Sequence, residues 1–211
     1  MARESLDQLR QTIAQYAARM MVEDGINDFA YAKKKAGRQL GVLEKSVLPS
    51  NAEIEAEVRS YHELYNADEQ PHELKLLRKA ALATMQLFER FNPFLTGSVL
   101  DGSAGKNAQT NIHLFADSAK DVEIFLLSQQ IPFESDEKTY RVSDRPSKNK
   151  KEKPHKTVPV FTLETEYGLQ KLSVFEFDDM RIATKRPSDG SNADRIDIAG
   201  LKGIISTDRI L

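Results

Sequence analysis

The spacing of the apolar residues changes once along this chain, and that change constrains the fold more than any other feature. Before Phe91 apolar side chains recur every three or four residues. After Asn92-Pro93 they alternate, and β-branched and aromatic residues gather. A helix returns to the same face about every 3.6 residues and a strand about every two, so the pattern predicts helices first and a sheet second.

The first part reads as four helices. Leu6, Leu9, Ile13, Tyr16, Ala17, Met20 and Met21 form one stripe, opened by Ser5 with Gln8 as a capping box and ended by Gly25. A second helix, Asp28 to Leu40, turns Phe29, Ala32, Ala36 and Leu40 inward, sets Lys33, Lys34, Lys35 and Arg38 outward, and stops at Gly41. Pro49-Ser50-Asn51 starts a third that carries Ile54, Val58, Tyr61, Leu64 and Tyr65. The fourth, Pro71 to Phe91, presents Leu74, Leu77, Ala81, Met85 and Phe88. Strands are expected at Phe94 to Leu100, Asn111 to Phe115, Thr139 to Val142, Val158 to Glu164 and Leu169 to Phe177. A helix is expected from Ser118 to Gln130 and a short closing helix around Ala193 to Ile205. Phe115, Phe125, Phe161, Phe175 and Phe177 are expected in the core. The segment SDRPSKNKKEKPHK, Ser143 to Lys156, is polar, proline-punctuated and rich in lysine, which predicts a mobile connection between two strands. The fold class is therefore α+β: a helical region over 1–90, then an α/β domain with a mixed sheet, a C-terminal tail and a short helix over 91–211.

Charge and composition narrow the function. Thirty Lys and Arg against 32 Asp and Glu leave a net charge of −2, so no overall field draws the protein to nucleic acid or an anionic membrane. The run KNKKEKPHK lacks the interleaved aromatics of a nucleic-acid surface and reads as a solvated loop. With no cysteine, disulfides, thiol catalysis and cysteine metal sites are excluded. His62, His72, His113 and His155 form no compact pair, which argues against a zinc site. The N-terminal residues have no signal-peptide character, and no uninterrupted apolar run reaches the about 18 residues that a spanning helix needs. The expectation is a soluble cytoplasmic protein.

The candidate chemistry lies in TGSVLDGSAGKNAQTNIHLFAD, Thr96 to Asp117. An expected strand ends at Gly97-Ser98, a loop with Gly102 and Gly105 follows, and another strand begins near Asn111. Glycines allow backbone to approach an anion closely, and a serine hydroxyl donates to phosphate oxygen. Gly97, Ser98, Gly102 and Gly105 are thus a candidate phosphate cradle. The arrangement resembles the nucleotidyltransferase superfamily, the polymerase-beta-like fold, over about Phe91 to Phe177. That family's pattern is Gly-Ser at a strand end, a loop of roughly ten residues, a strand of the form polar-Asp-apolar-Asp-apolar, and a helix; TNIHL, Thr110 to Leu114, keeps the rhythm.

The resemblance implies a nucleotide as ligand, and magnesium if the site is active, because the family's two aspartates hold divalent ions against the triphosphate. Here those two positions are Asn111 and His113. The strand that carries the family's third carboxylate reads LQKLSVFEF, with Lys171 and Ser173 where an acid is expected and Glu176 further along. Three readings stand at this point. One is a catalytically degenerate nucleotidyltransferase-like protein that keeps a nucleotide, phosphate or regulatory role. Another is an active transferase with His113 as general base or soft-metal ligand and an acid such as Glu176, Asp101 or Asp117 supplying charge. The third is a non-enzymatic interaction module. In the family, helices beside the core shape the acceptor site or a dimer contact, so a nucleotide, a macromolecular partner and a homodimer are all compatible with the helical region.

Overall fold

The computed structural model of the protein describes residues 2–42, 44–142 and 155–207. The chain is α+β, helices first and a five-stranded mixed sheet after. It divides into two units: Met1–Glu73, Ser103–Ala108 and Pro187–Asp189 form the first, and Leu74–Gly102, Gln109–Arg186 and Gly190–Leu211 the second. The boundary expected near Arg90 thus lies inside the second unit.

In the first unit α1 (Ala2–Glu23) packs on α2 (Phe29–Gln39) and α3 (Asn51–Tyr65). Ala14, Ala17, Ala18, Ala32 and Ala36 are buried along with Ile13, Met20 and Ile54. Small side chains at these positions let the helix axes approach, since interaxial distance follows the size of the residues at the contact. Starts and stops follow from local chemistry. Asp28 accepts from the backbone N–H of Ala30 at 2.7 Å and of Tyr31 at 3.3 Å, capping α2. The capping box belongs to α3: Ser50 Oγ accepts from Glu53 N at 3.2 Å, while Glu53 Oε2 accepts from Ser50 N at 2.6 Å. The box expected at Ser5 and Gln8 does not open α1, because that helix already begins at Ala2. Lys33 turns partly inward, its Nζ donating to Pro49 O at 2.8 Å.

In the second unit the sheet has the order β1-β2-β5-β4-β3, built from β1 (Phe94–Thr96), β2 (Thr110–Ala116), β3 (Glu134–Arg141), β4 (His155–Thr165) and β5 (Gly168–Glu176). β2 and β5 run parallel; every other neighbouring pair is antiparallel. α6 (Ala119–Ser128) follows β2, is capped by Ser118, and lies against β2 and β5 with Val122 and Leu126 buried. Phe125 of α6 meets Phe88 at 5.3 Å and Phe91 at 5.6 Å, both edge to face. Phe88 and Phe91 follow α4 (Glu69–Leu87), whose Leu77, Ala81 and Met85 are buried. α7 (Ile198–Thr207) buries Leu201 and Ile205. No helix among the described residues is long and apolar enough to cross a membrane.

The differences from expectation have local causes. β1 stops at Thr96, and Ser98–Asp101 makes the single helical turn α5. Gly97, at φ +78° and ψ −158°, breaks the extended chain, which the apolar Val99 and Leu100 had suggested would continue. β3 begins at Glu134, five residues before the expected start, because its highly charged first half sits at a sheet edge and shows no apolar face. β4 begins at His155, so the last two residues of the expected mobile segment are strand; residues 143–154 lie outside the described residues. α7 begins at Ile198, since Ile196 is held in a backbone bridge to Leu95 with bonds of 2.9 and 3.0 Å. Phe177, expected in the core, is exposed at the start of a short 3-10 turn.

Candidate functional site

Register puts the candidate residues on one face of the sheet. Asn111 pairs with Lys171, His113 with Ser173 and Phe115 with Phe175 across the parallel β2–β5 ladder. Side chains alternate along a strand, so these six share a face, joined by Phe94 and Thr96 from β1 and Val160 and Thr162 from β4. The other face carries Ile112, Leu114, Leu172 and Val174, all buried.

His113 lies sealed within this face. It is 1% exposed, its ring 4.7 Å from Phe175 and 5.3 Å from Tyr140, edge to face with the latter. Tyr140 spends its hydroxyl elsewhere, sharing a 2.8 Å hydrogen bond with Ser173 Oγ. Neither ring nitrogen of His113 has a hydrogen-bond partner among the described residues. Burial, with repulsion from Arg195 and Lys138 added, pushes its pKa down to about 3, so it is neutral at pH 7. A general base must reach the proton it takes, and this imidazole, enclosed by Tyr140 and Phe175, meets no solvent.

The carboxylates considered as charge suppliers are engaged or distant. Asp101 lies 3.5 Å from Arg186. Glu176 lies 3.1 Å from Lys156 and, three residues along β5 from Ser173, stands roughly 10 Å away at strand rise. Asp117 is exposed just after β2 ends.

The four residues of the candidate cradle separate. Gly97 and Ser98 stand at the end of β1 beside Asn111; a Cβ at Gly97 would meet Asn111 Nδ2 at 3.5 Å, an ordinary contact, so the demand for glycine comes from its backbone angle and not from crowding. Asn111 Nδ2 donates to Gln109 O at 3.3 Å, and the half-buried Asn111 and Ser98 sit on a partly open part of the face. Gly102, at φ +88°, ends α5. Gly105 belongs to the first unit, where a Cβ would come within 2.6 Å of the His62 ring; it is required there for packing. The structure therefore brings together Gly97, Ser98, Asn111, His113, Lys171 and Ser173, and leaves Gly105 out.

Two contributors were not legible from sequence. Arg195 comes from the stretch expected to begin the closing helix: the bridge between Leu95 and Ile196 swings its guanidinium over Phe115 at 5.3 Å and Phe94 at 5.6 Å, and its Nη2 donates to Met180 O at 2.8 Å. Burial pushes the Arg195 pKa down. Tyr140 closes over His113 from β3, the next strand after β2 in sequence but three places away in the sheet. Neither position carries a local signal, because both depend on long-range pairing.

As a donor set this face does not suit magnesium. A hard divalent cation takes oxygen ligands and is held through carboxylates; at Asn111, His113, Lys171 and Ser173 the face offers an amide, a buried neutral imidazole, an ammonium and a hydroxyl already bonded to Tyr140. Among the described residues no group of three or more His, Asp or Glu side chains is placed to hold a metal ion. What the open part of the face offers is donors: the Ser98 hydroxyl, the Asn111 amide and the Lys171 ammonium. Comparison with protein-family models, curated proteins and solved structures finds no match to this chain.

Proposed function

We propose that the second unit is a nucleotidyltransferase-like domain that binds a nucleotide or another phosphate compound in a regulatory or binding role and does not carry out metal-dependent nucleotidyl transfer. The observation that carries this reading is the register of β2 against β5. It sets Asn111 beside Lys171 and His113 beside Ser173, on one face and next to Gly97 and Ser98. In the family that the sequence resembles, these neighbouring strands supply the acids that grip the metal ions. A face in which they supply donors and a cation keeps an attraction for phosphate and lacks the means to hold magnesium there.

The test has two parts. Thermal shift of the full chain with each nucleoside triphosphate is expected to show stabilisation, since a ligand that binds only the folded state raises the melting temperature. Incubation with α-labelled triphosphate and magnesium or manganese is expected to leave no label on the protein or on added protein and RNA acceptors. Absence of any shift with nucleotides or pyrophosphate removes the binding role. Label incorporation that is lost in Asn111→Ala overturns the inactive assignment.

A further inference from the structure

Lys171 is half-buried in the middle of a five-stranded sheet, and no carboxylate of the described residues lies within ion-pair reach of it. Its neighbours across the ladders are Asn111 on one side and Thr162 on the other, both uncharged. The acids that share its face are Glu164, a diagonal neighbour on the adjacent strand β4, and Glu134 and Asp136 on β3, two strands out and roughly 10 Å away at sheet spacing; Lys171 is directly opposite none of them. Lys156, by contrast, is neutralised by Asp179 and Glu176. Arg195 and Lys138 lie near the same face, where each adds to the lowering of the His113 pKa that burial chiefly causes. A half-buried lysine with no ion-pair partner among the described residues, opposite the Asn111 amide and on the side of the Gly97–Ser98 turn, is arranged to meet an anion.

We infer that Lys171 stands in for the divalent cation that nucleotidyltransferase-like sites use, so that this face binds the polyphosphate of a nucleotide without any metal. The inference rests on the proposed nucleotide-binding role and specifies its chemistry: the ligand is the uncomplexed, fully charged polyphosphate, and the counter-charge is built into the chain. The Lys171 Nζ meets one phosphate group while the Ser98 hydroxyl and the Asn111 amide donate to its oxygens. Magnesium then competes with Lys171 for the same charge. Binding is therefore strongest when the metal is removed, and it weakens as salt screens the ammonium.

The experiment is a calorimetric titration of the full-length protein with ATP and with pyrophosphate, in excess EDTA and in excess magnesium. ATP is expected to bind in EDTA at least as tightly as in magnesium, and adenosine to bind far more weakly than ATP. Lys171→Met, with its fold checked by circular dichroism, is expected to weaken ATP in EDTA about tenfold, the factor that about 1.4 kcal/mol represents. Lys171→Arg, which keeps the charge, is expected to retain most of the affinity and guards against a purely structural effect of the substitution. Binding of ATP only after magnesium is added would overturn the inference and leave the nucleotide-binding role standing. Wild-type affinity in a folded Lys171→Met protein would overturn it as well. No binding in either condition would remove both the inference and the role it rests on.

Discussion

Acidification should weaken this protein through His113, by an amount that the burial of the ring sets. In the folded chain the imidazole protonates at about 3; in the unfolded chain it protonates near the ordinary value of about 6.5. Between those values the unfolded state binds the extra proton, so stability falls as pH falls. The contribution is fully present above about pH 6.5 and is lost progressively until the folded ring also protonates near pH 3. From pH 7 to pH 5 the loss is about 2 kcal/mol, because each unit between the two pKa values is worth about 1.4 kcal/mol. The measurement is urea denaturation at the two pH values in wild type and in His113→Phe, whose ring fits the aromatic surroundings of Phe175 and Tyr140 and does not titrate. Carboxylates elsewhere titrate in both proteins and cancel in the comparison. Wild type is expected to lose about 2 kcal/mol more than the variant over this interval. Equal losses in the two proteins would refute the claim that His113 is buried in its neutral form.

Three further outcomes follow from particular contacts. Lys156→Met removes the ion pair of the Asp179 carboxylate, only 3% exposed, and should destabilise the protein by about 1–3 kcal/mol in urea denaturation, where an unchanged stability would contradict a contributing buried pair. Gly97→Ala forces a Cβ onto a backbone at φ +78° and ψ −158° and should cost about 1–3 kcal/mol, seen as a lowered melting temperature; an unchanged melt would show that the turn relaxes. Ser50→Ala removes the Oγ that accepts from Glu53 N and should cost about 1 kcal/mol, with faster hydrogen exchange in the first turn of α3 as the local signature.

The helices were legible because their signals are local: Gly25 after the first stripe, Asp28 before the second and Ser50 before the third each mark a real helix end. β2 and β5 were legible because both carry apolar alternation; that Lys171 and Ser173 belong with Asn111 and His113 was an expectation from the resemblance, and the β2–β5 register sets the two pairs side by side. Legibility ended where a residue's role depends on a distant partner. The ESDEK half of β3 is strand because β4 pairs with it, not because its own side chains alternate. Arg195 reaches the candidate site only through the Leu95–Ile196 bridge. The sealing of His113 required Tyr140, whose strand was expected but whose place in the sheet was not. The glycines show the converse: three in one stretch suggested one purpose, and the fold gives Gly97 and Gly105 separate ones.

The most direct measurement is a crystal structure of the protein soaked with ATP in the presence of EDTA. The account predicts a polyphosphate against the sheet face between Gly97 and Lys171, with Lys171 Nζ and the Asn111 amide within hydrogen-bond distance of phosphate oxygens and His113 still enclosed beneath Tyr140. A nucleotide bound away from Asn111 and Lys171, or one bound there only with a divalent ion between phosphate and protein, would contradict it.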